Sequence, residues 1–142
     1  MSLKLPITVN GLIPHRPPML TVNELLSLEN GSAVSRTIFA PDSPFADEGG
    51  LVDETILFEM MAQTFAAAVA VERDGQGPSS GYLVGVKHMK FHGRARLGRV
   101  VEIKTELLSL VEDFSVIVGQ ASQSGAILAE GQLTVFIPPD EV

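Results

Sequence analysis

Apolar residues recur along the chain in two different rhythms, and the change between them sets out the fold. Residues 20–29 and 33–40 are apolar-rich and are separated by Asn30-Gly31, a pair that favours a tight hairpin. A Pro-, Asp- and Gly-rich loop spans 41–50. The rhythm then becomes helical. Asp53-Glu54-Thr55 opens the segment with acids and a capping side chain, and the pattern runs to Glu72 and stops at Asp74-Gly75. This expected helix, 53–72, is apolar nearly all round: Ile56, Leu57, Phe58, Met60, Met61, Phe65, Val69 and Val71 occupy every face. Such a helix needs cover on most sides.

The remaining chain offers that cover. Residues 82–92 form an expected strand. In 101–109, Val101, Ile103, Thr105 and Leu107 alternate with Glu102, Lys104 and Glu106; 114–122 follows a short turn; in 127–137, Ile127, Ala129, Leu133, Val135 and Ile137 alternate with Glu130, Gln132 and Thr134. A period of two gives each strand one buried and one wetter face, as in an antiparallel sheet. The expectation is an α+β architecture in which five or six antiparallel strands curl around one buried helix, as a single domain over 1–142.

Composition narrows the chemistry. With no cysteine among 142 residues, thiolate nucleophiles, disulfides and Cys-ligated metals are excluded. The net charge of −7 argues against a nucleic-acid binder. The start has no secretory character, and the apolar stretch 60–71 is too short to span a bilayer, so the expected location is the cytoplasm and no membrane partner is expected. Charge is unevenly placed: Lys87, Lys90, Arg94, Arg96, Arg99 and Lys104 crowd one stretch with Glu102 as its lone acid. This is either a solvated face or a dock for an anionic partner.

Three positions stand out chemically. Glu59 and Gln63 lie one turn apart on the helix. A carboxyl among Phe58, Met60 and Met61 is a candidate general acid with a raised pKa, or else a helix-edge Glu paired with an Arg. His15 lies among Pro14, Pro17 and Pro18, a stiff setting that suits a held base and equally an N-terminal anchor. His88 and His92 stand about 13 Å apart on a strand at about 3.3 Å per residue, too far to share a metal, and no metal is expected. Gly75, Gly77 and Gly81 punctuate a turn without forming a phosphate loop, and a serine-hydrolase elbow is absent.

The segments Ile13-Pro14-His15-Arg16-Pro17-Pro18-Met19-Leu20, Ile56-Leu57-Phe58-Glu59-Met60-Met61-Ala62-Gln63 and Gly81-Tyr82-Leu83-Val84-Gly85-Val86 occur in the order seen in hotdog-fold 3-hydroxyacyl-(acyl carrier protein) dehydratases. The chain resembles that family, and within it the divergent proteins of aryl-polyene-type pigment clusters. The resemblance implies a hotdog dimer with sites at the subunit interface. Glu59 would be the catalytic acid, Gln63 its support and a substrate contact, and Gly85 a place for the thioester to approach the backbone. The substrate would arrive on the phosphopantetheine of an acyl carrier protein, with no other cofactor, docking on Lys87, Lys90, Arg94 and Arg96. In that family the base is a histidine in a Gly-His-Phe-Pro loop before the helix. Here the loop reads Ser43-Pro44-Phe45-Ala46-Asp47-Glu48-Gly49-Gly50. Either His15 supplies the base, or the chain is a partner subunit without one. The partner is a second copy or a different hotdog dehydratase, and a thioesterase using Glu59 alone is the other alternative.

Overall fold

The computed structural model describes residues 4–73 and 82–138. The expected helix stop at Asp74-Gly75, and Gly75, Gly77 and Gly81, lie outside the described residues. Strands β1 (Ile7–Thr8), β2 (Glu24–Glu29) and β3 (Ser32–Ile38) precede helix α1 (Ile56–Glu72). Strands β4 (Tyr82–Phe91), β5 (Val100–Val111), β6 (Phe114–Gln123) and β7 (Ala126–Phe136) follow it. They form one sheet in the order β1-β2-β3-β5-β6-β7-β4, every pair antiparallel. α1 touches each strand from β2 to β7. A sheet bent around one central helix is the hotdog architecture.

The sheet has seven strands where five or six were expected. The addition is β1, whose two residues pair with Glu24 and Leu25 and are too few to show a period. β2 begins at Glu24, four residues later than the apolar stretch suggests; before it the Thr21 amide donates to Gln63 Oε1 of α1 at 2.8 Å and the Asn23 amide to Arg36 O at 3.3 Å. α1 begins at Ile56, three residues later than the sequence suggests. Asp53 Oδ1 takes both the amide and the hydroxyl of Thr55, and the amides of Ile56, Leu57 and Phe58 donate to the carbonyls of Asp53, Glu54 and Thr55. A tight turn therefore precedes the α-helical bonding.

The helix fits the sheet through a row of small residues. Ala33, Thr105, Gly119 and Gly131 are cross-strand neighbours on β3, β5, β6 and β7. Met61, fully buried, lies so close to Gly119 that a Cβ there would overlap its Sδ and Cγ, and a Cβ at Gly131 would overlap Met89. Gly119→Ala is expected to lower unfolding stability by about 1–3 kcal/mol, as overpacking does. In chemical denaturation, combination with Met61→Ala should cost less than the sum of the two single changes.

Candidate active site

The site begins with the N-terminal segment. Val9 and Ile13 are fully buried and fasten it to the core. The Val9 amide donates to Asn23 O at 2.9 Å and the Leu12 amide to Val9 O at 2.9 Å. Gly11, at φ +94°, makes the intervening turn in a region that side chains disfavour. The chain then passes over the first turn of α1, bringing His15 Nε2 to 3.5 Å from Glu59 Oε1. Both groups belong to one chain. His15 Nδ1 is buried without a hydrogen-bond partner among the described residues.

Gln63 joins helix and segment. Its Oε1 accepts the Thr21 amide at 2.8 Å, while Nε2 donates to Met19 O at 2.8 Å and to Glu59 Oε1 at 3.1 Å. Both amide hydrogens and the carbonyl are thus engaged, and the residue is 1% exposed. Gln63 is thus a brace between Glu59 and the stretch of chain that follows His15. Glu59 differs from expectation. Its side chain keeps 35% of its surface, at the rim where the N-terminal segment crosses the helix, so it is not enclosed by apolar neighbours. Its partners are Gln63 and His15, not an Arg.

The other expected site residues separate. Gly85 pairs with Thr134, whose side chain alternates with the buried Leu133 and Val135 and so lies on the face of the sheet turned away from α1. A Cβ at Gly85 would lie 3.6 Å from Thr134 Cβ, an ordinary contact. Lys87, Lys90 and Arg96 are exposed. Arg94 is engaged within the chain: Nε and Nη2 donate to the carbonyls of Val52 and Leu51 at 3.0 and 3.1 Å, and Nη1 pairs with Asp47 Oδ2 at 3.1 Å. Asp47 Oδ1 receives the amides of Leu51 and Gly49, and these bonds, led by Leu51 and aided by Arg94, hold its pKa below the usual value. Arg94 and Asp47 therefore rivet the loop that leads into α1. His88 occupies a bulge of β4 at φ +54°, and His92 pairs with Glu130 at 3.2 Å. Among the described residues no three His, Asp or Glu side chains group to hold a metal ion, and no helix is long and apolar enough to cross a membrane.

A groove of about 530 Å³ opens beside the segment, lined by Pro17, Pro18, Leu20, Phe39, Pro44 and Phe45 among others. The backbone brace was not legible in sequence, because Gln63 meets main-chain atoms, which carry no residue signature. Nor was the use of Arg94, for its carbonyl partners lie 42 and 43 positions earlier.

The family model described as ApeP dehydratase matches residues 7–142. The chain belongs to the ApeP-like dehydratase family. Among relatives of this ApeP-like chain is the 3-hydroxyacyl-[acyl-carrier-protein] dehydratase FabZ of Ruminiclostridium cellulolyticum, 29% identical over 130 residues, covering 88% of this chain and 91% of the relative. FabZ of Syntrophotalea carbinolica is 29% identical over 147 residues, covering 98% and 97%. Among solved structures, the dehydratase heterocomplex ApeI:P of Xenorhabdus doucetiae superposes with a TM-score of 0.85 at 25% identity, covering 97% of this chain and 94% of that one. A hypothetical thioesterase from Streptococcus pneumoniae, solved with coenzyme A, shares the fold at a TM-score of 0.65 and 15% identity, covering 84% and 88%.

Proposed function

We propose that this ApeP-like chain catalyses reversible loss of water from a 3-hydroxyacyl group carried as a thioester on the phosphopantetheine of an acyl carrier protein. The observation that carries the reading is the 3.5 Å approach of His15 Nε2 to Glu59 Oε1 within one chain. His15 takes the proton α to the thioester carbonyl. The electron pair of that C–H bond forms the new C=C bond as the β C–O bond breaks, and Glu59 delivers a proton to the departing hydroxyl, which leaves as water. The names of the FabZ relatives support the substrate class. The groove lined by Pro17, Pro18 and Leu20, which follow His15 in the chain, falls in the volume range of small-molecule sites, though neither His15 nor Glu59 lines it. The first amides of α1, those of Ile56, Leu57 and Phe58, already donate to the carbonyls of Asp53, Glu54 and Thr55 and do not meet the charge developing on the thioester carbonyl. No resident cofactor enters this scheme, and the enzyme works in the cytoplasm.

The partner surface is β4. It ends the sheet, and Tyr82, Val84, Val86 and Phe91 leave 57%, 54%, 41% and 41% of their surfaces exposed along it. An apolar edge strand is a template for pairing with another chain, and the Xenorhabdus heterocomplex supports a second, different hotdog subunit as its occupant. A heterocomplex also fits the alternative in which this chain is the non-catalytic member.

The test supplies a 3-hydroxyacyl carrier to the chain alone and with the partner subunit, measuring enoyl product and free carrier thiol. Enoyl product lost on His15→Ala supports the dehydratase. Free thiol without enoyl product supports the thioesterase, and turnover indifferent to His15 and Glu59 supports the partner-subunit reading. For the carrier, Lys87→Glu with Lys90→Glu is expected to weaken binding in a salt-sensitive way. Arg94→Glu should instead loosen the loop at Asp47, which appears as a lower melting temperature.

A further inference from the structure

A catalytic imidazole is normally aimed by a hydrogen bond to its second nitrogen. Among the described residues His15 has none: Nδ1 is buried without a partner there, and Nε2 faces Glu59. Its direction must come from the backbone that bears it. That backbone is closed by a single guanidinium nitrogen. Arg16 Nη1 donates to Ile13 O at 2.9 Å and to His15 O at 2.8 Å, so one donor clasps carbonyls on the two sides of the Pro14–His15 peptide. The Arg16 carbonyl in turn accepts the Leu20 amide at 3.1 Å, tying the clasp to the stretch that Gln63 holds. Below it Ile13 is fully buried, and Pro14 and Pro17 limit the torsions on either side.

We infer that Arg16 is a positioning residue for His15, its side chain fixing the turn that aims the imidazole at Glu59. The inference rests on the proposed role of His15 as base. Arg16 is exposed, and both of its side-chain hydrogen bonds go to backbone carbonyls of the segment that carries His15. The geometry it maintains matters because a displacement of about 1 Å in a catalytic group can cost on the order of 100-fold in rate. A lysine at this position presents a compact point charge without the fork, and holds two diverging carbonyls less well.

The experiment compares wild type, Arg16→Ala, Arg16→Lys and His15→Ala on the hydroxyacyl carrier substrate. It follows kcat, KM, melting temperature and the His15 ring resonances by NMR. Arg16→Ala is expected to lower kcat by about 10- to 100-fold with KM and melting temperature near wild type and with shifted, broadened His15 resonances. Arg16→Lys should fall between the two. If Arg16→Ala fails to fold, Arg16→Lys carries the test, with reduced kcat at a wild-type melting temperature as the expected result. Three results overturn the inference: wild-type kcat in Arg16→Lys and Arg16→Ala alike, a raised KM at unchanged kcat, which makes Arg16 a substrate contact, or unmoved His15 resonances. Full turnover in His15→Ala removes the proposed function itself, whereas an inactive His15→Ala beside a fully active Arg16→Ala removes only this inference.

Discussion

Glu59→Gln is expected to lower kcat by about 10²–10⁴-fold, the contribution of a positioned general acid, while leaving the fold intact. The amide has nearly the shape of the carboxyl, and its carbonyl can still accept the Gln63 Nε2 bond that Glu59 Oε1 accepts at 3.1 Å. What it lacks is a proton to give to the leaving hydroxyl. His15→Ala should produce a loss of similar size. Because the two groups act on one event from a 3.5 Å separation, the double variant should lose little more than the worse single one. Losses that multiply would mean that the two act in separate steps. The measurement is steady-state turnover, with melting temperatures to show that each variant is folded.

Gln63→Leu is expected to damage stability and activity together. The Thr21 amide would be left buried without an acceptor, and the Met19 carbonyl without its donor. An unpaired buried polar group costs about 1–3 kcal/mol, or several degrees in melting temperature for a domain of this size. Leucine has similar bulk, so packing loss adds little. The larger consequence is catalytic. Without the brace the segment 13–21 is no longer held against α1, and Glu59 loses the bond that selects its conformer. Turnover should therefore fall further than the lost stability accounts for at a temperature where the variant remains folded. A variant that melts early yet turns over at the wild-type rate would restrict Gln63 to the core.

The strands and the central helix were legible because burial imposes a period: β6 keeps its alternation along all ten residues, β7 from Ala129 to Phe136 and β5 from Val100 to Glu106. β1 was not legible, since two residues carry no period. The late start of α1 was hidden because Asp53 and Thr55 are good helix-opening residues that here bond to each other. Within the site, the residue types of His15, Glu59 and Gln63 announced themselves, while their geometry did not. Sequence spacing places Gln63 one turn from Glu59 but says nothing of Met19 and Thr21, more than 40 positions away. In the basic stretch, too, residue type shows while partners do not. Composition counts Arg94 with Lys87, Lys90 and Arg96, although its guanidinium is spent on Leu51, Val52 and Asp47. A cluster of charges in sequence is a cluster of opportunities, and internal carbonyls compete for it.

The most direct test of a site assembled within one chain is complementation between two inactive variants. His15→Ala and Glu59→Gln chains, differently tagged, are co-expressed with any partner subunit present, and turnover of the purified mixture is compared with that of each variant alone. With both groups supplied by the same chain, every chain in the mixture lacks one of them, and turnover stays at the level of the parents. Turnover well above both parents would show that His15 of one copy works with Glu59 of another, and would contradict the account.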